Sequence, residues 1–267
     1  MQTEIIERHV VGKISPERCE DVIHVSKNFI AVIDGATSYL CHETGKAPGK
    51  VIAEIIDHSI SELSPALPSQ QFHIELSLRV GDELSRKWPV NEEVPTASLI
   101  TYSVAHSEVW ILGDGWVSAA GHARRFSIPF ADAYTLLRCT YLHSLIQRGM
   151  SIAELRDNDR ALELILPFIR VQKHIQNTLP EPYGYGVLDG RSSCSNYVKI
   201  MKIRSGDEVI LASDGYPVIA KDLRRTEELL QRIIEEDPLM ISKYKQVKGV
   251  MNGQKSFDDR AFVRFRA

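Results

Sequence analysis

Carboxylates recur in this chain at the points where apolar runs end. Asp34 closes one run and precedes a glycine in FIAVIDGATS; Asp214 does the same in EVILASDGY, and Asp114 in VWILGDGW. Glu20 and Asp21 stand immediately before the run VIHV, and Asp258 and Asp259 immediately before RAFVRF. An acid at the end of a buried strand loses several kcal/mol of hydration unless something compensates it. Divalent cations do so naturally, because clustered carboxylates, backbone carbonyls and waters suit Mg²⁺ or Mn²⁺ rather than Zn²⁺. A glycine after the acid lets the backbone bend so that its carbonyl can approach a ligand. The competing reading is turn chemistry, since Asp-Gly after a strand is ordinarily only a turn. Spacing alone leaves both open.

The elements that must carry these acids come in blocks. EIIERHVVG and DVIHVSKNFIAVIDG are rich in β-branched residues, with short polar breaks that suit hairpins. Pro48 marks a helix start, and Ile52, Ile55, Ile56, Ile60 and Leu63 then fall on one helical face. A second helix is expected over 69–87, with Phe72, Leu76, Val80 and Leu84 four apart. TASLITYSV, SEVWILGD and WVSAAG return to strands. Residues 132–178 read as helical with a break at Gly149-Met150-Ser151, and Ser151 and Glu154 make a capping-box spacing. Residues 180–197 read as a long ordered loop. VKIMKIR and DEVILASDG are further strands, followed by helical TEELLQRIIEED and a last strand AFVRFR. Strands and helices in blocks suit an α+β layered sandwich of antiparallel sheets better than βαβ alternation. With no repeat, linker or composition shift, one domain over 1–267 is expected.

Composition narrows the partners. Thirty-two basic against 35 acidic side chains give a net charge of -3, which leaves no basic excess for a nucleic-acid backbone. The four cysteines, Cys19, Cys41, Cys139 and Cys194, show no C-x-x-C spacing, so neither a zinc knuckle nor a disulfide framework is expected. Acidic residues near the N-terminus do not fit a signal peptide, and no apolar stretch approaches the ~20 residues of a membrane span. The expectation is a cytoplasmic protein with neither nucleic acid nor membrane as a partner.

The ordered set ERCED, VIDGAT, PTASLITY, WILGDGW, ILASDGY and FDDRAFV resembles the motif set of the PPM-type (type 2C) metal-dependent Ser/Thr protein phosphatases, over roughly residues 10–266. YGYGVLDGR and SFDDRAF resemble a divergent bacterial branch. The resemblance implies a four-layer α-β-β-α sandwich with a site for two divalent cations, Mn²⁺ or Mg²⁺, at one end of the sheets. It implies that Asp34 bridges both ions, that Asp214 and Asp258 complete one site, and that Glu20 and the Gly35 carbonyl serve the other. Asp21 would orient a water on the metals, and Asp132 would serve a third, weaker ion. Asp114 matches a position read as structural. The implied reaction is in-line attack of a water on a phosphomonoester, with no side-chain nucleophile. The implied substrate is a phosphorylated protein. A small phosphomonoester is the alternative enzyme reading, and a catalytically weak binding module the alternative from another class.

Departures from the pattern are specific. Asp34-Gly35-Ala36-Thr37-Ser38 stands where many members have DGHGG, so no imidazole follows the bridging acid. The phosphate-binding arginine four residues before the acidic pair is Pro16 here, with Arg18 shifted by two positions. Arg191, in the 180–197 loop, is a further candidate phosphate contact. His24 reads as a packed strand histidine, Tyr183 and Tyr185 as either a flap or loop packing, and Arg124-Arg125 and Arg224-Arg225 as solvated pairs.

Overall fold

The computed structural model describes residues 3–38, 47–89 and 93–267; Cys41 lies outside the described residues. Two five-stranded antiparallel sheets stack face to face. One has the strand order β1 (Glu4–Val11), β10 (Arg260–Arg266), β9 (Glu208–Ala212), β6 (Gly115–Ala119), β7 (His122–Phe126). The other runs β2 (Asp21–Val25), β3 (Phe29–Gly35), β4 (Ala97–Ser103), β5 (Glu108–Leu112), β8 (Lys199–Lys202).

Strand periodicity builds the layers. In β3, Ile30 and Val32 face the opposite sheet, where they meet Val209, Leu211, Val263 and Phe265. Phe29, Ala31 and Ile33 face the other way, onto α1 (Pro48–Ser61) and α2 (Ser69–Lys87). In the first sheet, Ile210, Ala212 and Phe262 likewise turn outward, onto Leu230 and Ile233 of α6 (Leu223–Glu236). A strand buried on both faces needs a continuous apolar run rather than alternation, which is what FIAVI and EVILA supply. The result is the α-β-β-α sandwich expected from the sequence.

Three elements differ from their sequence expectation. β1 does not join β2 in a hairpin; it pairs along its length with β10, so the first and last strands lie side by side. HARRF forms an edge strand, β7, although it has few apolar residues. The helical stretch begins earlier, at Pro129, and breaks twice: α3 (Pro129–Gln147), α4 (Ile152–Asp157) and α5 (Arg160–Ile175). Asp159 causes the second break, because its side chain caps α5 by accepting from the Ala161 N–H at 3.1 Å. The Ser151–Glu154 capping box at the start of α4 is present. Within the 180–197 loop, Ser192–Tyr197 winds into a short 3₁₀ helix. Among the described residues, no helix is long and apolar enough to cross a membrane.

Candidate metal centre

The acids gather where strand ends from both sheets meet. Asp21 and Asp34 are register partners across the β2–β3 pair, and Asp34 is also opposite Ser98 of β4. Asp214 follows β9, and Asp258 and Asp259 precede β10. These two strands are hydrogen-bonded neighbours, so their acids reach the same end of the other sheet. Two glycines make the approach possible. A Cβ on Gly35 would lie 2.1 Å from the Gly49 carbonyl oxygen, so the start of α1 can rest on the end of β3 only with glycine there. A Cβ on Gly215 would lie 1.8 Å from the Asp259 carbonyl oxygen, which ties the DG of the Asp214 turn to close backbone packing.

A cavity of about 190 Å³ opens at this end, and Asp34, Asp114, Asp132, Asp214 and Asp258 all line it. One wall comes from α3 and α5, through Tyr134, Thr135, Ile169 and Gln172. Behind it, buried Asp21 accepts a 2.6 Å hydrogen bond from the Ser213 hydroxyl, which itself accepts from the Ala261 N–H at 2.9 Å. Asp259 is a bracket: its carboxylate accepts from the backbone N–H groups of Lys13 (2.7 Å) and Glu20 (3.0 Å). Asp114 accepts from the Ser98 hydroxyl at 2.5 Å.

The carboxylates fall into two electrostatic groups. Burial, and then the charges of Asp21, Asp214 and Asp114, push the Asp34 carboxyl well above its ordinary range. Asp214 is pushed up to about 7 by burial and by Asp114 and Asp258, and its side chain is hydrogen-bonded to Asp34. Asp21 and Asp114 are also raised, chiefly by burial. Asp258 is the opposite case. Burial works to raise it, but the ammonium groups of Lys248 and Lys13 outweigh that and hold it well below the usual carboxylate range.

Among the described residues, no three His, Cys, Asp or Glu side chains form a ready-made cage for a metal ion. The donor set nevertheless fits one cation at the Asp34–Asp214 end. Two carboxyl groups in hydrogen-bonding contact need either a shared proton or a cation, and a hard oxygen-binding ion satisfies them. Buried Glu20 also leaves Oε1 without a hydrogen-bond partner. At the Asp258 end the fit is poor, because lysines already hold both carboxylate oxygens.

The other sequence candidates separate clearly. Gly35 lines the cavity, and Asp132 reaches it from an exposed position near the start of α3. Glu20 and Asp21 sit behind the lining. Arg18 is exposed at the end of the 3₁₀ turn Pro16–Arg18 and is not among the lining residues. Neither is Arg191, whose guanidinium is held by Asp189 (2.7 Å) and the Gln176 carbonyl (3.2 Å). His24 pairs with Asp57 at 2.9 Å. Tyr185 is buried against the cavity, whereas Tyr183 is 69% exposed. Lys13, Thr37, Lys248 and Arg125 were not predicted. Lysines carry no spacing signal, and Arg125 reads as part of the solvated Arg124-Arg125 pair.

No family model matches the sequence, and no curated protein matches it significantly. Solved structures do. The Mycobacterium tuberculosis serine/threonine phosphatase PstP/Ppp superposes with a TM-score of 0.52 at 13% identity, covering 100% of this chain and 99% of that one. The PPM Ser-Thr phosphatase MsPP from Mycobacterium smegmatis, in complex with cacodylate, gives 0.50 at 14% identity, covering 98% and 99%. With two antiparallel sheets between helical layers and coverage end to end, the chain has the fold of the PPM-type Ser/Thr phosphatases.

Proposed function

We propose that the chain is a divergent PPM-type phosphatase domain over 1–267 that hydrolyses phosphomonoesters with a divalent cation, Mg²⁺ or Mn²⁺, its substrate being phosphoserine or phosphothreonine in a protein. The observation that carries this reading is the meeting of Asp34 and Asp214, from different sheets, at one cavity with Asp21 buried behind them. Asp34 and Asp214 would hold the ion. When bound, it supplies a Lewis acid that lowers the pKa of a water and neutralises charge on the phosphoryl oxygens.

The chain's own groups do the rest. Ser213 fixes the buried Asp21 carboxyl behind the cavity by donating to its Oδ2. Arg125 lines the cavity and offers a planar fork of donors to a phosphoryl group, in place of the arginine lost at Pro16. Tyr134 and Tyr185 narrow the space around a bound ester and exclude water from it.

Turnover of an aryl phosphate with and without Mn²⁺ tests the reading. Mn²⁺-dependent hydrolysis is expected, falling at least about 100-fold in Asp34→Asn, as for loss of one electrostatic group at a reacting centre. Equal rates in wild type and Asp34→Asn would refute it. One observation favours a second reading, a phosphatase-like binding module: lysines neutralise Asp258. Mn²⁺ binding without turnover of either the aryl phosphate or a phosphopeptide panel would decide for that module.

A further inference from the structure

Two lysines meet at the Asp258 end of the site. Lys13, two residues past β1, is 8% exposed, and its ammonium donates to the Thr37 hydroxyl at 2.8 Å and to Asp258 Oδ1 at 3.0 Å. The same nitrogen is 3.5 Å from Glu20 Oε2 and 3.6 Å from Asp259 Oδ2. Lys248 arrives from the far side, on the segment before β10. Its ammonium is 2.8 Å from Asp258 Oδ1, 2.7 Å from Oδ2 and 3.2 Å from the Thr37 hydroxyl. Thr37 in turn donates its hydroxyl hydrogen bond to Glu20 Oε2 at 2.6 Å. Asp258 Oδ1 therefore receives both ammonium groups, and it accepts the Asp259 N–H at 3.0 Å as well.

This is a built cluster, since a buried ammonium is costly unless its donors are all engaged. Its shared acceptor, Asp258 Oδ1, is also saturated. A carboxylate oxygen that already accepts three donors has no lone pair to offer a cation. The charge balance points the same way, because two ammonium groups carry the charge of one divalent ion. Lys13 directs its contacts to protein oxygens rather than into the main cavity, which suits a fixed counter-charge better than a substrate contact.

We propose that the ammonium groups of Lys13 and Lys248 take the place of one divalent cation, so that this site holds a single ion, at Asp34 and Asp214. The inference rests on the metal-dependent reading above. It makes Asp258 a ligand of lysine rather than of metal, and Glu20 a partner of Thr37 and Lys13.

The test is the number and kind of Mn²⁺ ions bound to the full chain, by equilibrium dialysis and electron paramagnetic resonance. One ion per wild-type chain, with the six-line spectrum of an isolated Mn²⁺, is the expected result. Lys13→Met/Lys248→Met and Lys248→Met alone keep the aliphatic stems and remove the charge; the second ion and an exchange-coupled spectrum should appear in at least one. Lys248→Met is the safer variant, since its side chain is partly exposed. Two coupled ions in the wild type would overturn the substitution while leaving the metal-dependent reading intact. A count fixed at one in both variants, with folding verified by circular dichroism, would overturn it too. No ion bound to the wild type at millimolar Mn²⁺ would overturn the metal-dependent reading, and this inference with it.

Discussion

Asp214 makes the metal-free protein sensitive to pH in a defined direction. Its carboxyl is raised from 3.8 to about 7 by burial and by Asp114 and Asp258. A raised acid binds its proton more tightly in the fold than in the unfolded chain, so that stabilisation is complete below pH 3.8 and is lost as pH rises toward 7. Without metal, stability should therefore fall from pH 5 to pH 7.5, by at most about 1.4 kcal/mol per pH unit per group. Urea unfolding at several pH values measures it, and Asp214→Asn should flatten the slope. Saturating Mn²⁺ should also flatten it, because a cation replaces the proton. Ala36 sets a second expectation. It lines the cavity where an imidazole could protonate a departing alkoxide, and a methyl group cannot. Proton donation is worth about 10²–10⁴-fold, and most for poor leaving groups. An aryl phosphate should thus turn over far faster than a phosphoserine peptide, and Ala36→His should raise the peptide rate selectively. Equal single-turnover rates on both substrates in the wild type would place a donor elsewhere.

The helical wall of the cavity depends on one buried arginine. Arg138 of α3 is fully buried and donates to Asp159 Oδ2 through Nε (2.9 Å) and Nη2 (2.6 Å). Its Nη1 reaches the Leu239 and Gln246 carbonyls at 3.1 and 3.0 Å. One side chain thus ties α3 to the cap of α5 and to the segment that carries Lys248. Arg138→Met would leave Asp159 buried without its partner, a loss of about 3–5 kcal/mol. Chemical denaturation checks this. Asp159→Asn/Arg138→Met should recover part of the loss, because the stranded charge is then gone as well.

How far such elements could be read beforehand depended on their environment. α1, α2 and the central strands follow from periodicity, because each buries a whole face or both faces in one core. β7 was missed because an edge strand needs little apolar surface, and HARRF exposes most of its side chains. β1 pairs with β10 rather than in a hairpin, and nothing in EIIERHVV distinguishes a near partner from one at the other end of the chain. In the site, the acids were found by their place at strand ends. Their convergence was supplied by resemblance, not by spacing. Lys13 and Lys248 carry no signal, since a lysine beside buried carboxylates and a lysine in solvent look alike in sequence.

Buried carboxylates from both sheets crowd this end and raise one another's pKa, so a bound cation should stabilise the whole. An ion that binds only the folded chain at 100 times its Kd adds about 2.7 kcal/mol, or roughly 5–10 °C in Tm for a chain of this size. Asp34→Asn should remove most of that rise, as differential scanning calorimetry with and without Mn²⁺ would show; an undiminished rise would exclude Asp34 as a ligand. Asp259 carries a further consequence, for the time course of synthesis. Its carboxylate holds the backbone N–H of Glu20, 239 positions earlier in the chain. At ribosomal rates of about 5–20 residues per second, Glu20 waits roughly 10–50 s for that partner. β1 waits as long for β10. A nascent chain thus lacks both the strand that lies between β1 and β9 and the Asp259 bracket until β10 has left the ribosome.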